Sequence, residues 1–267
     1  MAEAALSGTR AELLARWYDL DLRDDPGDLA LYLALAARNG GPILELAAGS
    51  GRIAIPLAVA GHEVVGVDLD PAMLGRARAS WDRARGRTGR RRIGSLELVE
   101  ADLLEVELGR RFGLVLLALN SLLLLGTAER QQAAFATMAR HLRPDGRALV
   151  DVWLPGPDDL VLYDGRLLLE WERADEASGQ RVAKLAAARH DPATAVVELT
   201  TIFDAWPAEG GAPSRVSRTD RLRLVGAAEL QRMAEAAGLR VETMGGDHEL
   251  TPFGPGAERA VLVAGLV

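Results

Sequence analysis

At 267 residues, 49% of them hydrophobic and 26% charged, the chain has the balance of a globular protein that buries a sizeable core, which excludes collagenous, repeat-only and mini-protein architectures. Its 31 basic and 38 acidic residues leave a formal charge of −7, so broad electrostatic capture of nucleic acid or an anionic membrane is not expected. There is no cysteine, which removes disulfides, thiolate nucleophiles, zinc ribbons and iron–sulfur clusters together.

The opening MAEAALSGTR has neither a basic n-region nor an apolar h-region. The longest apolar stretch, Leu114 to Leu125, is interrupted by Asn120 and Ser121 and is too short to span a bilayer. The expectation is a cytoplasmic protein. From Thr9, TRAELLARWYDL reads as a helix, with Thr9 and Glu12 in capping-box spacing and Leu14 and Tyr18 on one face. A second helix, over 27–37, stops at Asn39-Gly40-Gly41-Pro42. Strands at 42–48, 62–68, 96–102, 112–120 and 147–153 then alternate with helices that begin near Gly51, at Pro71 and at Thr127. Short apolar strands separated by amphipathic helices mean βαβ units and a buried parallel sheet. Asp70 suits a cap with Pro71 in the first turn, and Leu74, Ala77 and Trp81 share a face; Phe135, Met138 and Leu142 do the same in the helix after Thr127.

After Trp153 the pattern changes. Extended runs between Leu167 and Val225, broken by Ser-Gly, Asp-Pro and a turn-rich 207–214, read as three or four antiparallel strands. A helix resumes at Ala227 with the stripe Leu230, Met233, Ala234, Ala237 closed by Gly238, and strands at 239–245 and 259–267 finish the chain. The fold class is α/β, a doubly wound, mostly parallel sheet over 1–155 and 226–267, with an inserted antiparallel β subdomain at 156–225. Ligands of such sheets sit beyond the carboxyl ends of the strands, where strand order reverses.

The first strand runs into Glu45-Leu46-Ala47-Ala48-Gly49-Ser50-Gly51-Arg52 and then a helix, and its glycines let backbone N–H groups approach a ligand. Counting Ala54, the string also satisfies G-x-G-x-x-A, so a dinucleotide reading stays open. Asp68 ends the second strand 17 residues after Gly51, where a carboxylate accepts both ribose hydroxyls. Glu45, at the mouth of the first strand, suits an ammonium better than a pyrophosphate. After the third strand, Asp102 can accept from an adenine amine while the next N–H, of Leu103, donates to the ring.

Together these residues resemble class I S-adenosylmethionine-dependent methyltransferases. The resemblance is carried by ELAAGSGR, VVGVDLDPAML, VEADLL, FGLVLLALNSLLLL, HLRPDGRALVDVW and the closing AGLRVE and RAVLVA. It implies a Rossmann-like sheet of seven strands with the last antiparallel, and S-adenosylmethionine as cofactor with S-adenosylhomocysteine as product. It also implies a cleft in which Ala47, Gly49 and Gly51 cradle the methionine portion and Glu45 meets its amino group. Asp68 would hold the ribose, Leu69 and Met73 would flank the adenine, Asp102 and Leu103 would read its edge, and Leu117 is a further expected cofactor contact. Two departures stand out: Ala47 replaces a usual glycine, expected to be accommodated at negative φ, and Gly113 stands where Asp is frequent, expected to cost only local stability.

WYDLDLR and Gly246-Asp247-His248 look similar to small-molecule members, including amino-sugar N-methylating ones, in which a tyrosine near the N-terminus lies over the cofactor; there the β insert shapes the acceptor pocket or a homodimer contact. The expected reaction is methyl transfer to N or O of a small molecule, with His248, Tyr18 and Asn120 as catalytic candidates and no metal. Arg23 is a further candidate for the methionine carboxylate, although a solvated charge suits it better; His62, His141 and His190 read as structural, and Arg83, Arg85, Arg87, Arg90, Arg91 and Arg92 as a solvated connection. The alternatives are an NAD(P)-dependent oxidoreductase, for which no Tyr-Lys pair is found because the lone Lys184 lies in the insert, and a non-catalytic cofactor-binding relative.

Overall fold

The computed structural model describes residues 9–24, 26–87 and 93–267. They divide into two compact units: 26–156 with Arg223–Val267, and 9–24 with Pro157–Leu222.

The larger unit holds helix α2 (Leu29–Asn39), strand β1 (Ile43–Leu46), α3 (Ala54–Val59), β2 (Glu63–Asp68), α4 (Pro71–Arg87), β3 (Ser95–Glu100), β4 (Phe112–Leu117), α5 (Ala128–His141) and β5 (Leu142–Trp153), and resumes with α7 (Ala227–Ala236), β10 (Leu239–Gly245) and β11 (Arg259–Leu266). Its seven strands run in the order β10-β11-β5-β4-β1-β2-β3. β1 through β5 pair in parallel, and β11 is antiparallel to both β5 and β10. This is the seven-stranded sheet that the motifs imply. Every residue of β1 and β4 is buried, because helices cover both faces, which is why these strands read as unbroken apolar runs. Ile43, Val64, Leu114, Leu116, Leu149 and Val261 pack there against Leu35 and Leu57. The chain leaves β1 toward β2 and β3, then crosses to β4 on the other flank. The strand order therefore reverses between β1 and β4, and the crevice opens at their carboxyl ends.

Local chemistry sets the helix ends. Asp70 accepts from the Ala72 N–H at 2.8 Å, capping α4, and Thr127 accepts from Arg130 N–H to start α5. Leu142 begins β5 rather than ending α5.

The smaller unit holds α1 (Arg10–Asp21), α6 (Pro157–Leu162) and four strands, β6 (Asp164–Asp175), β7 (Gln180–Asp191), β8 (Val196–Trp206) and β9 (Ser214–Arg223), in sheet order β6-β7-β8-β9. The Thr9–Glu12 capping box is present. The buried face of α1 is Leu13, Ala15 and Trp17 rather than Leu14 and Tyr18, which flank it. Leu13 and Trp17 pack on Val182, Phe203 and Ala205, with the Trp17 and Phe203 rings 5.6 Å apart. That packing corrects the expected boundaries: the N-terminal helix groups with the antiparallel sheet, not with the first 155 residues. Among the described residues, no helix is long and apolar enough to cross a membrane.

Gly113 needs more than the local allowance expected of it. An added Cβ would lie 2.2 Å from the Gly40 carbonyl oxygen, while the Gly113 N–H donates to Pro42 O at 2.9 Å. The strand start is pressed against the turn before β1, so any side chain overpacks it. Gly113→Ala is expected to destabilise the fold by about 1–3 kcal/mol, read from urea unfolding; a midpoint unchanged from wild type would refute this close approach.

Candidate active site

The carboxyl end of β1 delivers Glu45 and the loop 47–51 to the crevice. Glu45 is buried, and its Oε2 is enclosed without a hydrogen-bond partner. Burial pushes its pKa up to about 8, against the pull of the Arg52 charge. An enclosed carboxylate oxygen with nothing to accept from is costly unless a cationic or N–H donor arrives. The loop beside it is shaped for close approach. Gly49 has φ +55° and a Cβ there would meet nothing within 4 Å, so the glycine faces open space. Gly51, at φ +83°, is required for a different reason, since its Cβ would strike Ile55 and Ala77 in the helix packing. Ala47 overturns its expectation: it sits at φ +57°, not at negative φ. The chain must turn sharply out of β1, and an L-residue in that region carries about 1–2 kcal/mol of strain.

Asp68 ends β2 with both oxygens directed at the loop. Oδ2 accepts from Gly49 N–H at 2.7 Å and Oδ1 from Asp70 N–H at 2.9 Å. Burial raises its pKa, partly opposed by those N–H donors. Each oxygen keeps a lone pair for a diol. Leu69 follows, 67% exposed, an apolar side chain left bare at the rim, while Met73 is buried on the first turn of α4. Asp102 builds the turn after β3: Oδ1 accepts from Leu104 N–H at 2.9 Å, and its backbone oxygen from Glu105 and Val106 N–H, a set that does not include Leu103. Arg130 approaches Asp102 Oδ2 at 3.5 Å. Leu117 is fully buried at the end of β4.

The remaining candidates divide. Asn120, after β4, has φ +65°, accepts from Trp153 N–H at 2.6 Å through Oδ1, and donates its own N–H to Asp151 O at 3.0 Å. It ties the ends of β4 and β5. His248 sits in a folded loop between β10 and β11, held by Gly246 N–H to Thr251 O at 2.7 Å and Thr251 N–H to Asp247 Oδ1 at 2.9 Å. Its Nε2 lies 3.1 Å from Asp151 Oδ2. Tyr18 and Arg23 belong to the smaller unit, where Arg23 pairs with Glu176 at 2.9 Å. His141 is buried and structural, with Nδ1 2.9 Å from Thr137 O and Nε2 accepting from Leu108 N–H. Lys184 pairs with Asp21 and Glu170 in the smaller unit. Arg85 pairs with Asp82 on α4, whereas Arg90, Arg91 and Arg92 lie outside the described residues.

Sequence reading missed five residues behind the loop. Arg52 clamps the buried Asp28 with two bonds of 2.6 Å, which takes Asp28 away from capping α2. Asp151 is fully buried and gathers Tyr32, His248 and Arg259. The available signal was a carboxylate inside the apolar run Leu149-Val150-Asp151-Val152-Trp153, since a charge there demands partners.

A methyltransferase-domain profile matches residues 43–146, the span from β1 to the start of β5. A dTDP-3-amino-3,4,6-trideoxy-alpha-D-glucopyranose N,N-dimethyltransferase of Streptomyces venezuelae is 27% identical over 85% of this chain and 86% of its own length. A dTDP-3-amino-3,6-dideoxy-alpha-D-glucopyranose N,N-dimethyltransferase of Streptomyces fradiae is 27% identical over 91% and 89%. Among solved structures, the CcbJ methyltransferase of Streptomyces caelestis superposes with a TM-score of 0.73 at 27% identity, covering 92% of this chain and 98% of that one. Neither the fold nor these relatives support an oxidoreductase.

The cleft fits S-adenosylmethionine on its own chemistry: an unpartnered carboxylate oxygen for the amino group, an open glycine loop, and an aspartate with spare acceptors for the ribose. Asp68→Ala is expected to abolish calorimetric binding of S-adenosylhomocysteine while far-UV circular dichroism stays unchanged. For Glu45, the unfolded carboxyl titrates near about 4.3, so the folded apoprotein binds more protons between there and about 8 and loses stability as pH rises through that window. Glu45→Gln is expected to remove that loss. Ligand binding to wild type near neutrality should release up to about one proton as Glu45 ionises, seen as a buffer-dependent heat that the Gln variant lacks; an identical heat in both would refute the assignment. Site, sheet and relatives agree that the chain is an S-adenosylmethionine-dependent methyltransferase.

Proposed function

We propose that the protein transfers methyl groups to the amino nitrogen of a small amino-sugar acceptor. One observation carries this reading: the similarity to the two N,N-dimethyltransferases extends over 85% and 91% of the chain, well beyond 43–146, and so takes in segments outside the cofactor-binding half. When bound, S-adenosylmethionine supplies an electrophilic methyl on a sulfonium whose thioether leaves without needing a proton. The chain's own work is to fix the donor through Glu45, the 47–51 loop, Asp68 and Asp102, and to align the acceptor, a contribution on the order of 7–11 kcal/mol for a well-oriented pair. His248 is the candidate base on the acceptor side, with Asn120 Nδ2 as a donor to acceptor hydroxyls. Tyr18 is retained as a cofactor-facing candidate on the resemblance alone. Incubation with S-adenosylmethionine and nucleotide-linked amino sugars is expected to yield mono- and then dimethylated amine by mass spectrometry; methylation of hydroxyl acceptors alone would overturn the reading.

The assembly we infer is a homodimer through the smaller unit. β6 is an edge strand on which Leu167, Leu168 and Leu169 are 49%, 51% and 63% exposed. An antiparallel two-fold centred on Leu168 sets Leu167 against Leu169 and Arg166 against Glu170, a self-complementary pattern of the kind an isologous contact needs. Leu168→Glu is expected to convert a dimer to a monomer in sedimentation velocity; a monomeric wild type would overturn the assembly.

A further inference from the structure

Asp151 is the most heavily used carboxylate in the larger unit. Its Oδ1 accepts from Arg259 Nε at 2.8 Å and lies 2.7 Å from Arg259 Nη2, and its Oδ2 accepts from Tyr32 O–H at 3.2 Å and meets His248 Nε2 at 3.1 Å. These partners come from the start of β11, from α2 and from the loop after β10, and the carboxylate itself is fully enclosed. Burial pushes the Asp151 pKa up, but the His248 hydrogen bond and the Arg259 charge carry it below the usual range. Burial and the Asp151 charge raise the Tyr32 phenol, so it stays a donor.

Asp28, Asp151 and His248 each offer a ligand atom, all within 4.8 Å of one another. This is not a cation site, because two arginine forks already hold both carboxylates. The charged groups facing the histidine are thus Asp151 with Arg259, Asp28 with Arg52, and Asp247 beside it in its own loop, with Glu45 beyond Arg52.

An ionised carboxylate only accepts, so the imidazole nitrogen against it must carry the hydrogen. In the neutral ring the other nitrogen, Nδ1, then holds the lone pair. We propose that Asp151 is a positioning residue that locks His248 as the Nε2–H tautomer, so that Nδ1 takes the proton lost by the acceptor amine. The inference rests on the N-methylation reading. The amine lone pair forms the new N–CH3 bond as the C–S bond breaks, with its electron pair staying on sulfur. The N–H proton passes to His248 Nδ1, and the imidazolium returns it to water through the 10% of the side chain that is exposed. A second methylation of the same nitrogen requires this reset, because each transfer leaves an ammonium.

Nitrogen-detected NMR of the full chain labelled at its four histidines, with the His248 signal assigned by its loss in His248→Gln, reads the tautomer without turnover. The expected result is Nε2–H in wild type and its loss in Asp151→Asn. In parallel, amine methylation by Asp151→Asn is expected to fall roughly 100-fold in kcat with its acidic pH limb displaced, KM and S-adenosylhomocysteine affinity little changed, and partial recovery in Asp151→Glu. An Nδ1–H tautomer in wild type overturns the proposal, as does an Asp151→Asn enzyme with the wild-type pH profile. Should Asp151→Asn fail to fold, the wild-type tautomer and the His248→Gln pH profile decide the matter. An Nε2–H tautomer in a protein that methylates no amine overturns the acceptor reading and the base role with it, and is distinguishable from failure of the positioning.

Discussion

The crowding of buried carboxyl groups at the carboxyl ends of the parallel strands is what the rest of the site depends on. Four carboxylates, Asp28, Glu45, Asp68 and Asp151, gather there, but Arg52 is committed to Asp28 and Arg259 to Asp151. Glu45 and Asp68 are left without a cation of their own, and burial raises the pKa of both. A buried carboxyl group without a counter-charge is costly to ionise, and Glu45 keeps its proton near neutrality until a cationic group arrives beside the open glycine loop. Such a cleft favours a cationic guest.

Backbone strain is concentrated in the same place. Ala47, Leu119 and Asn120 all lie at positive φ, at the ends of β1 and β4, the two strands that flank the reversal of strand order. Neighbouring structure holds them: Ala48 N–H donates to Val67 O at 2.9 Å, and Asn120 is tied to Trp153 and Asp151. Residues kept in sparsely populated conformations persist only where their surroundings over-determine them, and these three turn the chain sharply at the two lips of the crevice.

Much of this was legible in the sequence. The apolar runs at 42–48 and 112–120, the Asp70 cap and the Gly51–Asp68 spacing announced the sheet and the crevice at its carboxyl ends, because periodicity and turn chemistry are local signals. The network behind it was not. Asp28, Tyr32, Arg52, Asp151 and Arg259 are scattered over more than 230 positions, and only the folded sheet makes them neighbours. Ala47 failed for a related reason: its φ is imposed by the turn, not by its side chain. The position of α1 was hidden too, since nothing in TRAELLARWYDL says which sheet its apolar face will meet.

That placement of α1 bears on how the chain is made. Trp171 Nε1 donates to Asp21 Oδ1 across 150 positions, and Trp17 finds Phe203 farther still. A ribosome emits the helix long before β8 exists, so the indole of Trp17 and the side chain of Leu13 spend most of synthesis without their final neighbours. Contacts this distant along the polymer form late and leave sticky surface bare in the interval. The apolar face of α1 is thus among the last surfaces of the smaller unit to be covered.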